Sequence, residues 1–237
     1  MAKNREQRAA SKVQRLAIGL VAFFLAVSCS GIPATQTRRE RAEELIQIAW
    51  DNYIDDYDAA IANYTEAIRL YPNYAEAYYF RAYVYAVKGD HDKTVADTTA
   101  AARDDDFYYA VVGEFADLYL DGEFGTNYAQ ALSILSGAIR AKPRLPDGYL
   151  KRGDIYARTS AYDQAIADYT AVLGIQPDHI DALKRRADAY LCKSDIDRAV
   201  ADWDAVLGLD PHDAVTERNV AVAQQRRTYG LLDIPTE

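Results

Sequence analysis

The chain has 237 residues, with 36 acidic and 27 basic side chains and a formal net charge of -9. Five of the basic residues lie in residues 1–28 beside a single acidic residue, which leaves residues 29–237 at a net charge of -13. A body this acidic lacks the basic surface that displaces counterions from a nucleic-acid backbone, so nucleic-acid binding is excluded from the expected functions.

The first 28 residues are predicted to be a signal peptide. A basic stretch leads into an apolar run from Leu16 to Val27, which is shorter than the ~20 residues needed to span a bilayer as a helix. A small residue, Ser28, and then Cys29 follow this run. The segment is therefore expected to direct export of the chain rather than to belong to its fold.

Cys29 and its surroundings resemble the lipobox of bacterial lipoproteins, although Ala26 stands where the usual leucine would be. The resemblance implies that Cys29 carries lipid, that residues 29–37 form a membrane-anchored tether, and that the protein faces the periplasm, with Ser30 favouring the outer membrane. An ordinary signal peptide, or an uncleaved anchor with an incidental cysteine, is the alternative.

The first predicted helix runs from about Arg38 to Tyr53 and begins at a capping box formed by Thr37 and Glu40. A second helix is predicted from Tyr57 to Tyr71, where Pro72 ends it because proline lacks the backbone N–H that a helix needs. Two short helices joined by a tight turn are the expected local unit.

A short sequence motif then recurs along the chain. A small residue, an aromatic residue, a second small or β-branched residue and a closing proline occur as Ala60-Tyr64-Ala67-Pro72, Ala165-Tyr169-Val172-Pro177 and Ala199-Trp203-Val206-Pro211. Ala165 and Ala199 are 34 residues apart, and this period is typical of a helix-turn-helix solenoid. These motifs resemble those of the tetratricopeptide (TPR) repeat family over residues 38–228.

The resemblance implies an all-α TPR solenoid of about five repeats plus a capping helix. After the first hairpin, repeats are predicted to start at Ala75, near Tyr109, at Pro146 and at Ile180, followed by the capping helix over residues 214–228 and a tail over 229–237. The second repeat departs from the pattern because Asp106 replaces its closing proline, and the third carries extra residues between 122 and 127.

We number positions 1 to 34 within each repeat. Positions 8 and 20 must be small because the two helices of a repeat cross there, and aromatic residues at positions 11 and 24 fill the gaps between repeats. Many of the 19 tyrosines are therefore expected to belong to the framework. The framework tyrosines are Tyr57, Tyr64, Tyr85, Tyr119, Tyr156, Tyr162, Tyr169 and Tyr190.

Positions 7 and 23 change together. They are Arg and Asp in repeats two, four and five, whereas the third repeat has Phe115 and Ile134. The polar pairs are Arg81 with Asp97, Arg152 with Asp168, and Arg186 with Asp202. We therefore predict that positions 7 and 23 meet within one repeat.

No catalytic constellation is recognisable. His91, His179 and His212 fall at turns of different repeats without metal-ligand spacing, and Cys192 lacks a partner for a disulfide or for nucleophilic chemistry. The prediction is a protein that is not an enzyme and that needs no cofactor or metal.

The resemblance implies that first-helix positions of the repeats line a binding groove. The groove residues expected to contact partner proteins are Tyr79, Phe80, Tyr83, Glu114, Asp117, Lys151, Asp154, Arg158, Lys184, Arg185 and Asp188. Tyr79, Phe80 and Tyr83 are predicted to form a binding hot spot, with packing against the first repeat as the alternative. Phe124 is a weaker candidate.

The expected function is that of an envelope-located, lipid-anchored scaffold that binds protein partners for assembly or recruitment. The alternative is an accessory lipoprotein of a solute-transport system that contacts a solute-binding protein.

Overall fold

The computed structural model describes residues 34–120 and 127–229, and within these ranges all regular structure is helical. The α-helices are α1 (Ala34–Asn52), α2 (Tyr57–Leu70), α3 (Ala75–Val87), α4 (His91–Ala101), α5 (Asp105–Ala110), α6 (Ala116–Leu120), α7 (Tyr128–Ala141), α8 (Pro146–Arg158), α9 (Tyr162–Ile175), α10 (Ile180–Cys192), α11 (Ile196–Leu209) and α12 (Ala214–Tyr229). A π-helical turn, Val111–Phe115, joins α5 to α6.

The chain divides into two compact units, Met1–Lys142 and Pro143–Glu237. In the described part of the first unit, α1 packs on α2, α3 on α4, and the α5–α6 segment on α7. In the second unit α8 packs on α9, α10 packs on α11, and α12 covers α11. This arrangement confirms the predicted all-α fold of about five helical hairpins and a cap.

Turn chemistry sets the ends of the helices. Asp56 caps α2 by accepting hydrogen bonds from the backbone N–H groups of Asp58 and Ala59. After the first helix of a repeat, position 15 takes the left-handed conformation, with φ of 76° at Gly89, 60° at Ser160 and 61° at Ser194. Glycine adopts this conformation without the steric cost that serine meets, so Gly89 suits its turn best.

Small residues let the paired helices approach closely. Ala82, Ala116 and Ala187 at position 8 are fully buried, and so is every described residue at position 20. A Cβ on Gly153, the fourth residue at position 8, would lie 2.7 Å from the Tyr169 ring. The Tyr169 ring of α9 therefore occupies the space that a side chain at Gly153 of α8 would need.

Two predicted boundaries are wrong. Helix α1 begins at Ala34 rather than at Arg38, so Thr37 lies inside the helix and not at its start. No proline or glycine occurs between residues 34 and 52, so the sequence holds nothing that would delay the start of α1. The helix takes up the last four residues of the predicted tether.

The first helix of repeat three also begins early, at Asp105 instead of near Tyr109. The side chain of Asp104 accepts from the N–H groups of Asp106 and Phe107, which caps a helix at this point. Because Asp106 stands where other repeats have proline, the chain forms an extra turn there before the π-helical turn.

Candidate functional site

The predicted pairing of positions 7 and 23 is confirmed in all three repeats. Each arginine donates two hydrogen bonds to its aspartate, at 2.7 and 2.8 Å between Arg81 and Asp97. The distances are 2.8 and 2.7 Å in the other two pairs, Arg152 with Asp168 and Arg186 with Asp202. In repeat three Phe115 and Ile134 are both 0% exposed. The residues at positions 7 and 23 therefore stabilise the hairpins internally, so other residues must form the binding surface.

Two further connections join one repeat to the next. The Nη1 atoms of Arg81 and Arg186 donate to the hydroxyls of Thr65 and Thr170, at 2.9 and 3.1 Å. Lys88 also pairs with an aspartate of the preceding repeat, and Lys193 does the same. These ion pairs are Lys88 with Asp58 and Lys193 with Asp163. Neither connection was predicted from the sequence, although Thr at position 25 and Lys at position 14 recur.

The three aromatic residues of the predicted hot spot belong to the core. Tyr79, Phe80 and Tyr83 are only 2, 5 and 1% exposed. The centroid of the Phe80 ring lies 4.8 Å from that of Trp50 in α1, and the centroid of the Tyr83 ring lies 5.9 Å from that of Tyr53, the residue directly after α1. The prediction that these rings meet a partner is wrong because Trp50 and Tyr53 pack on two of them.

Tyr79 is covered from the other side. Its ring centroid lies 5.4 Å from Phe107 and 5.5 Å from Phe115, both in the first helix of repeat three. Its hydroxyl is buried and has no hydrogen-bond partner among the described atoms. Burial raises the pKa of Tyr79 above its usual range, with the Glu114 charge contributing in the same direction.

An open cleft of about 500 Å³ lies beside this aromatic core in the first unit. Three successive first helices, or the turns that lead into them, form its walls. Helix α1 contributes Arg39, Glu43, Glu44, Ile46 and Gln47; the turn before α3 and its start contribute Tyr71, Asn73, Tyr74, Ala75 and Glu76; the start of α5 contributes Asp104, Asp106 and Phe107. The cleft thus combines aromatic walls with a predominance of carboxylates.

Among these carboxylates, Glu76 is perturbed by its surroundings. Burial raises the pKa of the Glu76 carboxyl, the nearby Tyr74 hydroxyl lowers it, and the charge of Glu43 raises it further. Arg39, the only basic residue among the described residues that line the cleft, donates from Nε to Glu43 Oε1 at 3.0 Å. The groups around Glu76 therefore do not fully offset the cost of burying its negative charge.

The predicted groove residues of the second unit are brought together. Arg185 forms an ion pair with Asp154, which also accepts a hydrogen bond from the Tyr169 hydroxyl at 2.9 Å. Lys184 forms an ion pair with Asp213 at the start of the capping helix. This face is therefore a network of internally paired charges, in contrast to the cleft of the first unit.

The remaining predicted groove residues differ in exposure. Arg158 and Asp188 are exposed and Lys151 is half-buried on α8 and α10. Although the residue as a whole is exposed, partial desolvation of its carboxyl raises the pKa of Asp188, and the charge of Lys184 opposes that shift. Glu114 is exposed in the π-helical turn, and Asp117 is half-buried one turn later.

Other candidate sites add little. Within residues 34–120 and 127–229, no group of three or more His, Cys, Asp or Glu side chains is placed to hold a metal ion. Cys192 is a free, exposed thiol. No helix in these ranges is long and apolar enough to cross a bilayer. Cys29 and Phe124 lie outside the described residues.

Comparisons with known proteins identify the repeats. Residues 54–89 match a family model described as TPR repeat, and residues 124–180 match one described as tetratricopeptide repeat. These two segments therefore resemble tetratricopeptide repeats, in agreement with the helical hairpins and the 34-residue spacing. No curated protein matches the chain.

Solved TPR structures resemble the fold at low sequence identity. The first TPR domain of Spaghetti (RPAP3), bound to an HSP90 peptide, is 20% identical, with 51% of this chain and 94% of that chain covered and a TM-score of 0.46. YrrB, described as a TPR protein with an unusual peptide-binding site, is 21% identical over 79% of this chain and 97% of its own, with a TM-score of 0.45. The MamA protein is 21% identical over 83% and 99%, with a TM-score of 0.44.

Proposed function

We propose that this protein is a non-catalytic scaffold that binds segments of partner proteins through the first helices of its repeats, while a lipid on Cys29 holds it at the bacterial cell envelope. The observation that carries the binding part is the cleft of about 500 Å³, because three successive first helices line it. Concave sites with apolar walls and a few polar groups are the usual places where proteins receive ligands.

The second unit offers a different kind of surface to a partner. Lys184, Arg185 and Asp154 are half-buried and already paired within the unit, so a partner has to exchange these pairs for its own. Exposed Asp188 and Arg158 lie on the same first helices. Such a surface favours specificity over affinity, because the gain from ion pairs with a partner is offset by the loss of the existing ones.

The anchoring part rests on the sequence. The basic stretch, the apolar run and Cys29 follow one another in the order that bacterial lipoproteins use. A body with a net charge of -13 is repelled by an anionic bilayer surface, so attachment should depend on the lipid.

Lipidation is tested by metabolic labelling with a palmitate analogue and by cell fractionation. Cys29→Ala should abolish the label and release the chain from membranes, whereas the matched control Cys192→Ala should retain both. Sedimentation of Cys29→Ala with membranes in a partner-free preparation would contradict the lipid anchor.

Partner binding is tested by crosslinking in living cells, followed by purification of the full chain in detergent. Proteins that are recovered with the wild-type chain and lost after changes on the first-helix faces support the proposal. If no protein depends on these faces for its recovery, the scaffold function is wrong.

A further inference from the structure

We propose that the cleft between α1, α3 and α5 binds a lysine or arginine side chain presented by an apolar segment of a partner protein. The inference rests on the proposed scaffold function and adds the chemistry of the bound segment. It follows from the shape of the cleft, from its charges, and from the way in which α5 closes it.

The cleft is built by a departure from the repeat pattern. Asp106 occupies the position at which other repeats have a closing proline, and Asp104 caps α5 just before it. The extra turn that results brings Asp106 and Phe107 to the cleft wall. A feature specific to this repeat thus supplies both an acidic and an aromatic side chain.

The charges of the cleft do not cancel. Of the residues that the structure describes, five carboxylates and one guanidinium line it. Glu43 is paired with Arg39, and Glu44 is paired with Arg41 outside the cleft. Asp104 is engaged in capping α5. Glu76 and Asp106 have no ion pair among the side chains that the structure describes, so they are the carboxylates available to a cation.

Apolar and aromatic residues line the same cleft as these two acids. Ile46 is buried in α1, and Tyr71, Tyr74 and Phe107 are among the lining residues. Lysine and arginine bury an aliphatic stem along such walls while their charged end meets a carboxylate, and aromatic faces attract the same cations. A metal ion would instead require several converging oxygen ligands and no apolar wall.

The environment of Glu76 favours such a ligand over solvent. Half-burial deprives its carboxylate of water, and the neighbouring charge of Glu43 opposes ionisation. An entering ammonium or guanidinium group replaces the lost solvation with a charge-assisted hydrogen bond. A carboxylate of a partner would meet repulsion from both acids and is excluded from the cleft.

The test is a selection of random nine-residue peptides displayed on phage, performed with the full chain in detergent at 150 mM salt. Lys or Arg should be enriched about ten-fold at one position flanked by apolar residues, which is the discrimination expected of a charge-assisted contact. The double variant Glu76→Gln/Asp106→Asn should lose this enrichment.

A matched control separates the cleft from the general acidity of the chain. Asp92→Asn/Asp204→Asn removes the same two charges at exposed positions and should select the same peptides as the wild type. If the double cleft variant does not fold, as judged by circular dichroism, the exposed single change Asp106→Asn should still lower the enrichment several-fold.

Equal enrichment of Lys or Arg by the wild type and by the cleft variant would overturn the inference, and so would selection of peptides without a cation. Failure of the scaffold function is a separate result. In that case no partner would be recovered from cells, although the cleft would still discriminate between peptides.

Discussion

Repeat three and repeat five fill the same two framework positions in opposite ways. Repeat five places Arg186 against Asp202, and the two groups share two hydrogen bonds at 2.8 and 2.7 Å. Repeat three has Phe115 and Ile134 at the corresponding positions, both without solvent exposure. A hairpin therefore accepts either a complete ion pair or a completely apolar pair at these positions. Mixed combinations should lower the free energy of unfolding.

The polar pair of repeat five also contacts the preceding repeat, whereas the apolar pair of repeat three lacks the equivalent hydrogen bond. Arg186 also donates to Thr170 of repeat four. Thr99, which precedes Phe115 at the equivalent place, donates to the backbone carbonyl of Val95 within its own helix. The exchange of a pair of residues thus also removes one connection between repeats.

The largest effect is expected from a charge placed in the apolar pair. Ile134→Asp should lower the free energy of unfolding by about 4 kcal/mol, because an ionised carboxylate would be buried without a partner. Urea unfolding of the full chain measures the loss. Adding Phe115→Arg should restore part of it, and a single-variant loss below about 1 kcal/mol would show that water reaches this position.

The converse change tests the polar pair. Arg186→Ala leaves Asp202, 7% exposed, without its partner and should cost about 3 kcal/mol. The double variant Arg186→Phe/Asp202→Ile, which copies repeat three, should lose less than this single variant. As a control, Arg198→Ala breaks an ion pair with Asp195 in which the Arg198 side chain is exposed, and it should leave the free energy of unfolding nearly unchanged. A double variant less stable than Arg186→Ala would contradict the equivalence of the two solutions.

Two glycine substitutions, one in repeat three and one in repeat four, are expected to have smaller effects on stability. A Cβ on Gly137 in repeat three would lie 2.1 Å from Thr99 Oγ1, so Gly137→Ala should cost about 1–3 kcal/mol through overpacking. Gly174 in repeat four has no atom within 4 Å of such a Cβ, and Gly174→Ala should stabilise its helix by about 0.5–1 kcal/mol. The two variants are compared by thermal unfolding, and equal signs would be inconsistent with the packing described.

The smallest effect is expected at the surface connection between repeats four and five. Lys193→Met breaks the ion pair with Asp163, whose side chain is 79% exposed, and should cost no more than about 1 kcal/mol. The difference from the wild type should shrink further at 1 M salt, where charges on the surface are screened. A large loss that is independent of salt would assign this pair a structural role comparable to that of Arg186 and Asp202.

Much of the framework was predictable because its rules are local. Small residues at positions 8 and 20, the closing prolines and the joint change at positions 7 and 23 are all visible in one chain. The burial of Tyr79, Phe80 and Tyr83 was not, because it depends on which rings α1 and α5 bring against them. Sequence spacing gives the helix face of a residue but not the size of the neighbour that covers it.

The cleft was missed for a related reason. The predicted groove included neither Asp106 nor Phe107, because the first helix of repeat three was expected to begin near Tyr109. Asp106 in place of proline was the informative departure, since a chain without proline there is free to start a helix early. Taken with the capping ability of Asp104, it would have predicted the extra turn.

The claim that first-helix faces bind partners is tested most directly by photo-crosslinking in living cells, with a photoreactive amino acid placed at exposed positions one at a time. Gln47 in the cleft and Asp181 on α10 represent the first helices, and Ala62 and Ala201 represent the second helices of the same two units. We expect crosslinked partners from Gln47 or Asp181 and none above background from Ala62 and Ala201. Crosslinks that form mainly from Ala62 and Ala201 would contradict the account.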